Sequence, residues 1–147
     1  MSHITVPIKR LDPSVPLPTY AYQGDAGLDL RASETVTVPP LSRVLIPTGL
    51  AIAIPDGFAG FVQPRSGMAL KQGLTIANTP GLIDAHYRGE LKIIAFNINR
   101  DQEVRVERGE RIAQLVIQEV PVVDLCEVDE LDETDRGTGG FGSSGRA

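Results

Sequence analysis

Apolar and polar positions along the chain fall into short runs, interrupted every few residues by glycine or proline. Residues 35–38 alternate polar and apolar and stop at Pro39-Pro40. Apolar-rich runs at 43–46, 50–54, 58–63, 74–77, 91–98, 103–106 and 112–120 continue the pattern. No helical period of useful length and no internal repeat compete with it. Roughly nine short strands with turns at this spacing predict an all-β fold, a jelly-roll-like barrel or sandwich. Pro55-Asp56-Gly57 marks a turn, and Pro47-Thr48-Gly49 separates two runs. Proline inside a strand-like stretch predicts an edge or a bend there. One segment breaks the β rhythm. Residues 66–72 open on Ser66, an N-cap type of residue, and end before Gly73, which predicts a two-turn helix.

The pattern changes near the C-terminus. Residues 122–128 are still strand-like, and Cys126 within them is expected to be a small core side chain. Residues 129–135 are acidic, and Arg136 to Gly145 is nearly all glycine, serine and threonine around one Phe. Such a segment has too little apolar surface to offset its ordering entropy, so it is expected to be a mobile arm. The division is therefore a barrel domain over residues 1–128 and a flexible arm over residues 129–147. Gly137, Gly139 and Gly142 satisfy G-x-G-x-x-G, but they follow no strand and open no helix, so a dinucleotide fingerprint is rejected. Arg136 and Phe141 stand out in the glycine tape, as a guanidinium suits a phosphate and an aromatic ring suits a base.

Composition narrows the function classes. A chain of 147 residues, 41% hydrophobic and 22% charged, fits one soluble globular domain. A net charge of −5 argues against an electrostatic nucleic-acid binder, though not against a nucleotide ligand. One cysteine allows no disulfide framework and no thiolate zinc site. The N-terminal residues lack a signal-peptide pattern, and the longest apolar runs are four or five residues. No membrane association and a cytoplasmic location are expected.

Chemistry concentrates in Gly81-Leu-Ile-Asp84-Ala-His86-Tyr87-Arg88-Gly89-Glu90, a turn-rich segment entered through Asn78-Thr79-Pro80. It reads either as a charged hairpin tip or as a site held between strands. Pro64-Arg65-Ser66-Gly67 is a candidate anion site at the head of the helix, or simply a capped helix beside a surface arginine. An imidazole two residues from Asp84 suggests a metal pair or a His–Asp unit, but no third ligand or nucleophile is spaced to join it.

Taken in order, Ala26-Gly-Leu-Asp29-Leu30, Pro64 to Lys71, Gly81 to Glu90, Arg111-Ile-Ala-Gln114 and Arg136 to Gly145 resemble the five motifs of the trimeric dUTP pyrophosphatases (dUTPases). The resemblance spans residues 24–145, and it is the combination of motifs that is specific. It implies the dUTPase-like β fold and hydrolysis of dUTP to dUMP and pyrophosphate, by water attacking the α-phosphorus. It also implies limitation of uracil in DNA and supply of dUMP for dTMP synthesis. Asp84 matches the carboxylate that orients and deprotonates the water. Tyr87 matches the ring against the sugar that leaves no room for a 2′-hydroxyl, and Asn78 the amide that pairs with uracil. Leu82 and Ile83 match the lining of the base pocket. Arg65, Ser66, Gly67 and Gln114 match the phosphate contacts, and Lys92 is a candidate for a further substrate contact. Arg136 matches the arm residue on the terminal phosphate, and Phe141 the ring covering uracil. Asp29 matches a carboxylate that meets the metal through water, Mg²⁺ being held mainly by the three phosphates. The family implies a homotrimer with inter-subunit sites and an arm reaching over a neighbour. His86 departs from the pattern, since many members carry a second acidic residue there. A dCTP deaminase of the same fold and a non-catalytic β-trimer are the alternatives; the Asp-x-x-Tyr-Arg-Gly hairpin and the occupied catalytic positions argue against them.

Overall fold

The computed structural model describes residues 3–147. Ten strands and one helix follow one another as β1 (Ile8–Arg10), β2 (Leu28–Arg31), β3 (Val36–Val38), β4 (Arg43–Ile52), β5 (Phe58–Gln63), α1 (Ser66–Gln72), β6 (Leu74–Ile76), β7 (Gly81–Ile83), β8 (Glu90–Asn97), β9 (Val104–Val106) and β10 (Arg111–Glu119). The chain is all-β with a jelly-roll-like architecture and one short helix. One sheet has the order β1-β4-β8-β6, a second β2-β10-β5-β7, and β3 with β9 forms a two-stranded third. All pairings are antiparallel. Alternate side chains of the two larger sheets meet in one core that includes Leu30, Ile46, Leu50, Leu91, Ile93 and Leu115. Period-2 burial along β8 and β9 shows why the sequence pattern predicted these strands. Among the described residues no helix is long and apolar enough to cross a membrane.

Three strands escaped the sequence pattern. β1, β2 and β7 are three or four residues long and none shows strict alternation of buried and exposed positions, β1 being exposed throughout. The helix has the predicted extent, with Gly73 as its left-handed cap at φ 69°. Its N-cap is Arg65 rather than Ser66, and no side chain caps it. The C-terminal end of α1 is tied to β8 through two asparagines. Asn97 is fully buried, and its Nδ2 donates to Val38 and Gln102 carbonyls at 3.0 and 2.7 Å. Its Oδ1 accepts from Asn99 Nδ2, which also donates to the Gln72 carbonyl at 2.7 Å. A buried amide with every group satisfied fixes local geometry at no net polar penalty.

Pro47-Thr48-Gly49 does not end a strand. β4 runs through it as an inner strand, and the bend is a bulge. Five residues from Pro47 to Ala51 face three on β8, from Lys92 to Glu90. The irregularity is stabilised locally. Buried Thr48 donates its hydroxyl to the Leu91 carbonyl at 2.6 Å, and Gly49 adopts φ 71°. The Gly49 N–H donates to Glu90 Oε2 at 3.2 Å. Pro47 is tolerated because β1 pairs only with Leu50, Ala51 and Ile52, and Ser33, which lies beside Pro47, donates its N–H and hydroxyl to the Pro47 carbonyl and needs no N–H in return.

The expectation of a core strand over residues 122–128 is overturned. The ladder ends with Val120 donating to the Gly57 carbonyl, and Pro121 has no N–H to extend it. Val122, Leu125 and Leu131 are more than four-fifths exposed, and Cys126 is exposed rather than buried.

Candidate functional site

Ten of the expected site residues fall into two pockets. The first, about 290 Å³, is lined by Asp25, Gly27, Asp29, Arg65, Ser66, Gly67, Arg111 and Gln114, with Ala21 and Tyr22 at its rim. β10 builds it by pairing with two strands at once, so that Gln114 lies opposite Asp29 on β2 and Gln63 on β5. Beyond Gln63 the chain stays extended through Arg65 and then enters α1, exposing Ser66 and Gly67 at the uncapped first turn. Met68, buried in the core, anchors that turn. Asp29 is buried and faces two guanidiniums: Arg111 Nη1 donates to its Oδ2 at 3.3 Å, and Arg65 Nε is 3.9 Å from its Oδ1. Arg65 also donates to the Arg111 carbonyl at 3.1 Å. Gln114 lies across Gly27, where an added Cβ would come within 3.0 Å of the Gln114 side chain. This pocket is polar, with two arginines balancing two aspartates, and is held together by its own contacts.

The second pocket, about 350 Å³, is lined by Leu45, Leu82, Ile83, Asp84, Tyr87, Glu90, Lys92 and Ile94. β7 leads into the loop that carries Asp84, and β8 leads out of it. Tyr87 N–H donates to the Asp84 carbonyl at 3.1 Å, and Tyr87 hydroxyl donates to the Glu90 carbonyl at 2.9 Å. Arg88 turns back onto the Ala85 and Tyr87 carbonyls. Leu45 and Ile94 are cross-strand partners, and Leu82 and Leu45 are each more than half exposed. The Asp84 carboxylate is exposed and has no ion-pair or hydrogen-bond partner among the described residues. His86 points elsewhere: its Nε2 is 3.1 Å from Asp56 Oδ1, on the turn before β5.

The two pockets share no residue. Ile83 pairs with Gly60, five residues before Arg65, so Ile83 and Arg65 stand roughly 17 Å apart along the strand at ~3.4 Å per residue, and Asp84 lies one residue farther on. Asn78, exposed on the turn before β7, lines neither pocket, although its Nδ2 is close to Gly81. Arg136 and Phe141 are exposed in the C-terminal segment and line neither pocket either; Arg136 donates only to the Gly139 carbonyl at 2.8 Å. Among the described residues no three His, Cys, Asp or Glu side chains are grouped to hold a metal ion. The oxygen donors of Asp25, Asp29 and Ser66 suit a hard cation, but the two arginines on Asp29 leave it best placed to meet one through water.

Sequence reasoning missed Arg111, Leu45, Glu90 and Ile94 as pocket residues. Arg111 stood in the motif that was read for Gln114 alone. Leu45 and Ile94 carried a signal, since outward-facing apolar residues on otherwise alternating strands need a partner.

Known proteins resemble the chain along nearly its whole length. The family model described as dUTPase matches residues 14–145. The deoxyuridine 5′-triphosphate nucleotidohydrolase of Corynebacterium diphtheriae is 56% identical over 140 residues, 95% of this chain and 92% of that protein. The protein of the same name from Thermobifida fusca is 53% identical, over 97% of this chain and 79% of its own. Among solved structures, the Staphylococcus bacteriophage 80alpha dUTPase with dUpNHpp superposes with a TM-score of 0.90 at 34% identity, covering 97% of this chain and 99% of that one. Five motifs in order, a strand frame that collects three of them around one polar pocket, and likeness along nearly the whole length lead to one conclusion: the chain belongs to the dUTPase family.

Proposed function

We propose that the protein hydrolyses dUTP to dUMP and pyrophosphate in a homotrimer whose active sites are assembled between subunits. The observation that carries the trimer is the separation of the two pockets within one chain. Water activated at Asp84 cannot reach an α-phosphate held at Arg65 of the same chain, whereas a second copy can bring its hairpin to that pocket. The exposed apolar residues after Pro121, including Val122 and Leu125, support an arm that leaves its own barrel for a neighbour's.

In this reading Arg65, Ser66, Gly67 and Gln114 bind the phosphates through side chains and first-turn N–H groups. Asn78 pairs with the uracil edge, Leu82 and Ile83 line the base pocket, and the Tyr87 ring lies against deoxyribose and excludes a 2′-hydroxyl. Lys92 adds a substrate contact from the pocket rim. Asp84 takes a proton from the water as its oxygen bonds to the α-phosphorus and the bond to the bridging oxygen breaks, releasing pyrophosphate. Arg136 binds the terminal phosphate and Phe141 covers the uracil when the arm closes. Bound with the substrate, Mg²⁺ would supply charge neutralisation to the phosphates, and Asp29 is the residue that would face it through water. The product serves dTMP synthesis, and removal of dUTP limits uracil in DNA, in the cytoplasm.

Subunit complementation tests the whole reading. Arg65→Ala and Asp84→Asn chains, each nearly inactive alone, are refolded together in equal amounts and assayed for pyrophosphate from dUTP. Recovery of roughly a quarter of wild-type activity is expected, one restored site in each mixed trimer. No recovery in verified mixed trimers places both residues in a site of one chain and sinks the proposal. Ammonia from dCTP instead of pyrophosphate from dUTP would assign the deaminase chemistry.

A further inference from the structure

We infer that Gly89 and Glu90 are positioning residues that set the discrimination between deoxyribose and ribose by holding the Tyr87 ring in place. The inference rests on the reading of Tyr87 as the sugar filter and concerns what fixes it. An aromatic ring on a loop between two strands is free to swing, and a swinging ring admits the extra hydroxyl that it is meant to exclude. Two contacts prevent this. The Tyr87 ring folds back over its own loop, and its hydroxyl donates to the Glu90 carbonyl at 2.9 Å. Beneath the ring lies Gly89, where an added Cβ would sit 2.5 Å from the Tyr87 hydroxyl oxygen, 2.7 Å from Cζ and 3.0 Å from Cε2.

Those distances are too short for any side-chain carbon, so only glycine lets the ring lie there. Gly89 is not among the glycines with positive φ, unlike Gly49 and Gly73. The requirement for glycine therefore comes from the ring above it rather than from the backbone. Glu90 closes the arrangement from the other side. It is the first residue of β8, paired with Ala51, and its carboxylate accepts the Gly49 N–H at 3.2 Å. The carbonyl that anchors Tyr87 is thus fastened to the β4 bulge, and through it to the core strand that carries buried Thr48 and Leu50. The rest of the ring, about half exposed, lines the pocket that also contains Asp84.

The test compares kcat/KM for dUTP and UTP in the wild type and in five variants of the full chain. Gly89→Ala lifts the ring, and its dUTP-over-UTP ratio is expected to fall roughly 10- to 100-fold, the scale of an ångström-sized misplacement. Glu90→Ala, which adds no atom to the loop, is expected to lower the ratio in the same direction and serves where Gly89→Ala does not fold. Glu90→Gln keeps an oxygen for the Gly49 N–H and is expected to restore the ratio. The double variant Gly89→Ala with Tyr87→Ala is expected to match Tyr87→Ala alone, because Gly89 acts only through the ring. An unchanged ratio in both Gly89→Ala and Glu90→Ala, with a collapsed ratio in Tyr87→Ala, overturns the inference and leaves the sugar filter standing. A wild-type ratio in Tyr87→Ala overturns both.

Discussion

The carboxylates of the two pockets are held in opposite ways. Asp29 is buried and faces Arg65 and Arg111, so its charge is committed within the folded chain. Asp84 is exposed, accepts nothing on its side chain among the described residues, and is positioned by its backbone, through the Tyr87 N–H on the Asp84 carbonyl. A carboxylate answered by two guanidiniums is tied to its own chain, and an uncommitted one at a pocket wall is free to meet a water or a ligand. The Asp29 pocket is held together within a single chain, whereas the hairpin pocket presents an uncommitted carboxylate, the base in the proposed reaction.

The largest expected effect breaks this contrast at its reactive end. Asp84→Asn keeps the shape of the hairpin and removes the base. Turnover of dUTP is expected to fall by about 10²–10⁴-fold, with affinity for a non-hydrolysable dUTP analogue, read by calorimetry, close to the wild type. Wild-type turnover in this variant would return Asp84 to the role of an ordinary surface charge. Next in size is removal of the C-terminal segment before Arg136. A folded trimer with activity lowered roughly 100-fold is expected, since Arg136 and Phe141 bring a charge-assisted bond and a stacking ring to the closed site. Full activity in the truncated chain would show that the segment closes over nothing.

What the sequence revealed of this contrast, and what it hid, has a physical pattern. β8 and β9 were legible because one face is buried and the other is not, and that alternation is written directly in residue type. The helix was legible because Gly73 ends it in a conformation that favours glycine. The bulge at Pro47 to Ala51 was not, because proline and glycine signal a bend without saying whether the chain reverses or only kinks. Cys126 was misplaced for a related reason: Val122, Val123 and Leu125 carry the composition of a core strand, but after Pro121 the segment joins no sheet and these side chains stay exposed. The motifs named Arg65 and Asp84 as parts of one site. Their separation along β5 depends on the pairing of β5 with β7, a long-range register that no local pattern encodes.

The third prediction tests the finished pocket. Asp29→Asn leaves Arg65 and Arg111 facing a neutral amide. Because both arginines are partly open to water, the loss of stability is expected to be about 1–2 kcal/mol, smaller than for a fully buried pair, and is read as a lower urea midpoint with an unchanged slope. The KM for dUTP is expected to rise more than kcat falls, since the two guanidiniums lose the group that aligns them. Unchanged stability and KM would mean that the pocket does not depend on its carboxylate.

The smallest expected effect concerns His86, the residue that departs from the family pattern and stands two positions from the proposed base. Its Nε2 meets Asp56 at 3.1 Å, with both side chains more than four-fifths exposed. An ion pair in that setting contributes about 0.5 kcal/mol or less, because water screens the charges and two mobile side chains must be held. The contact joins the turn before β5 to the hairpin from outside the pocket, and nothing in it reaches the Asp84 carboxylate. His86→Ala is therefore expected to leave dUTP turnover within about twofold of the wild type and to shift the urea midpoint barely at all. A large loss of turnover in this variant would tie the imidazole to the chemistry at Asp84, and the hairpin pocket would then hold two reactive groups in place of one.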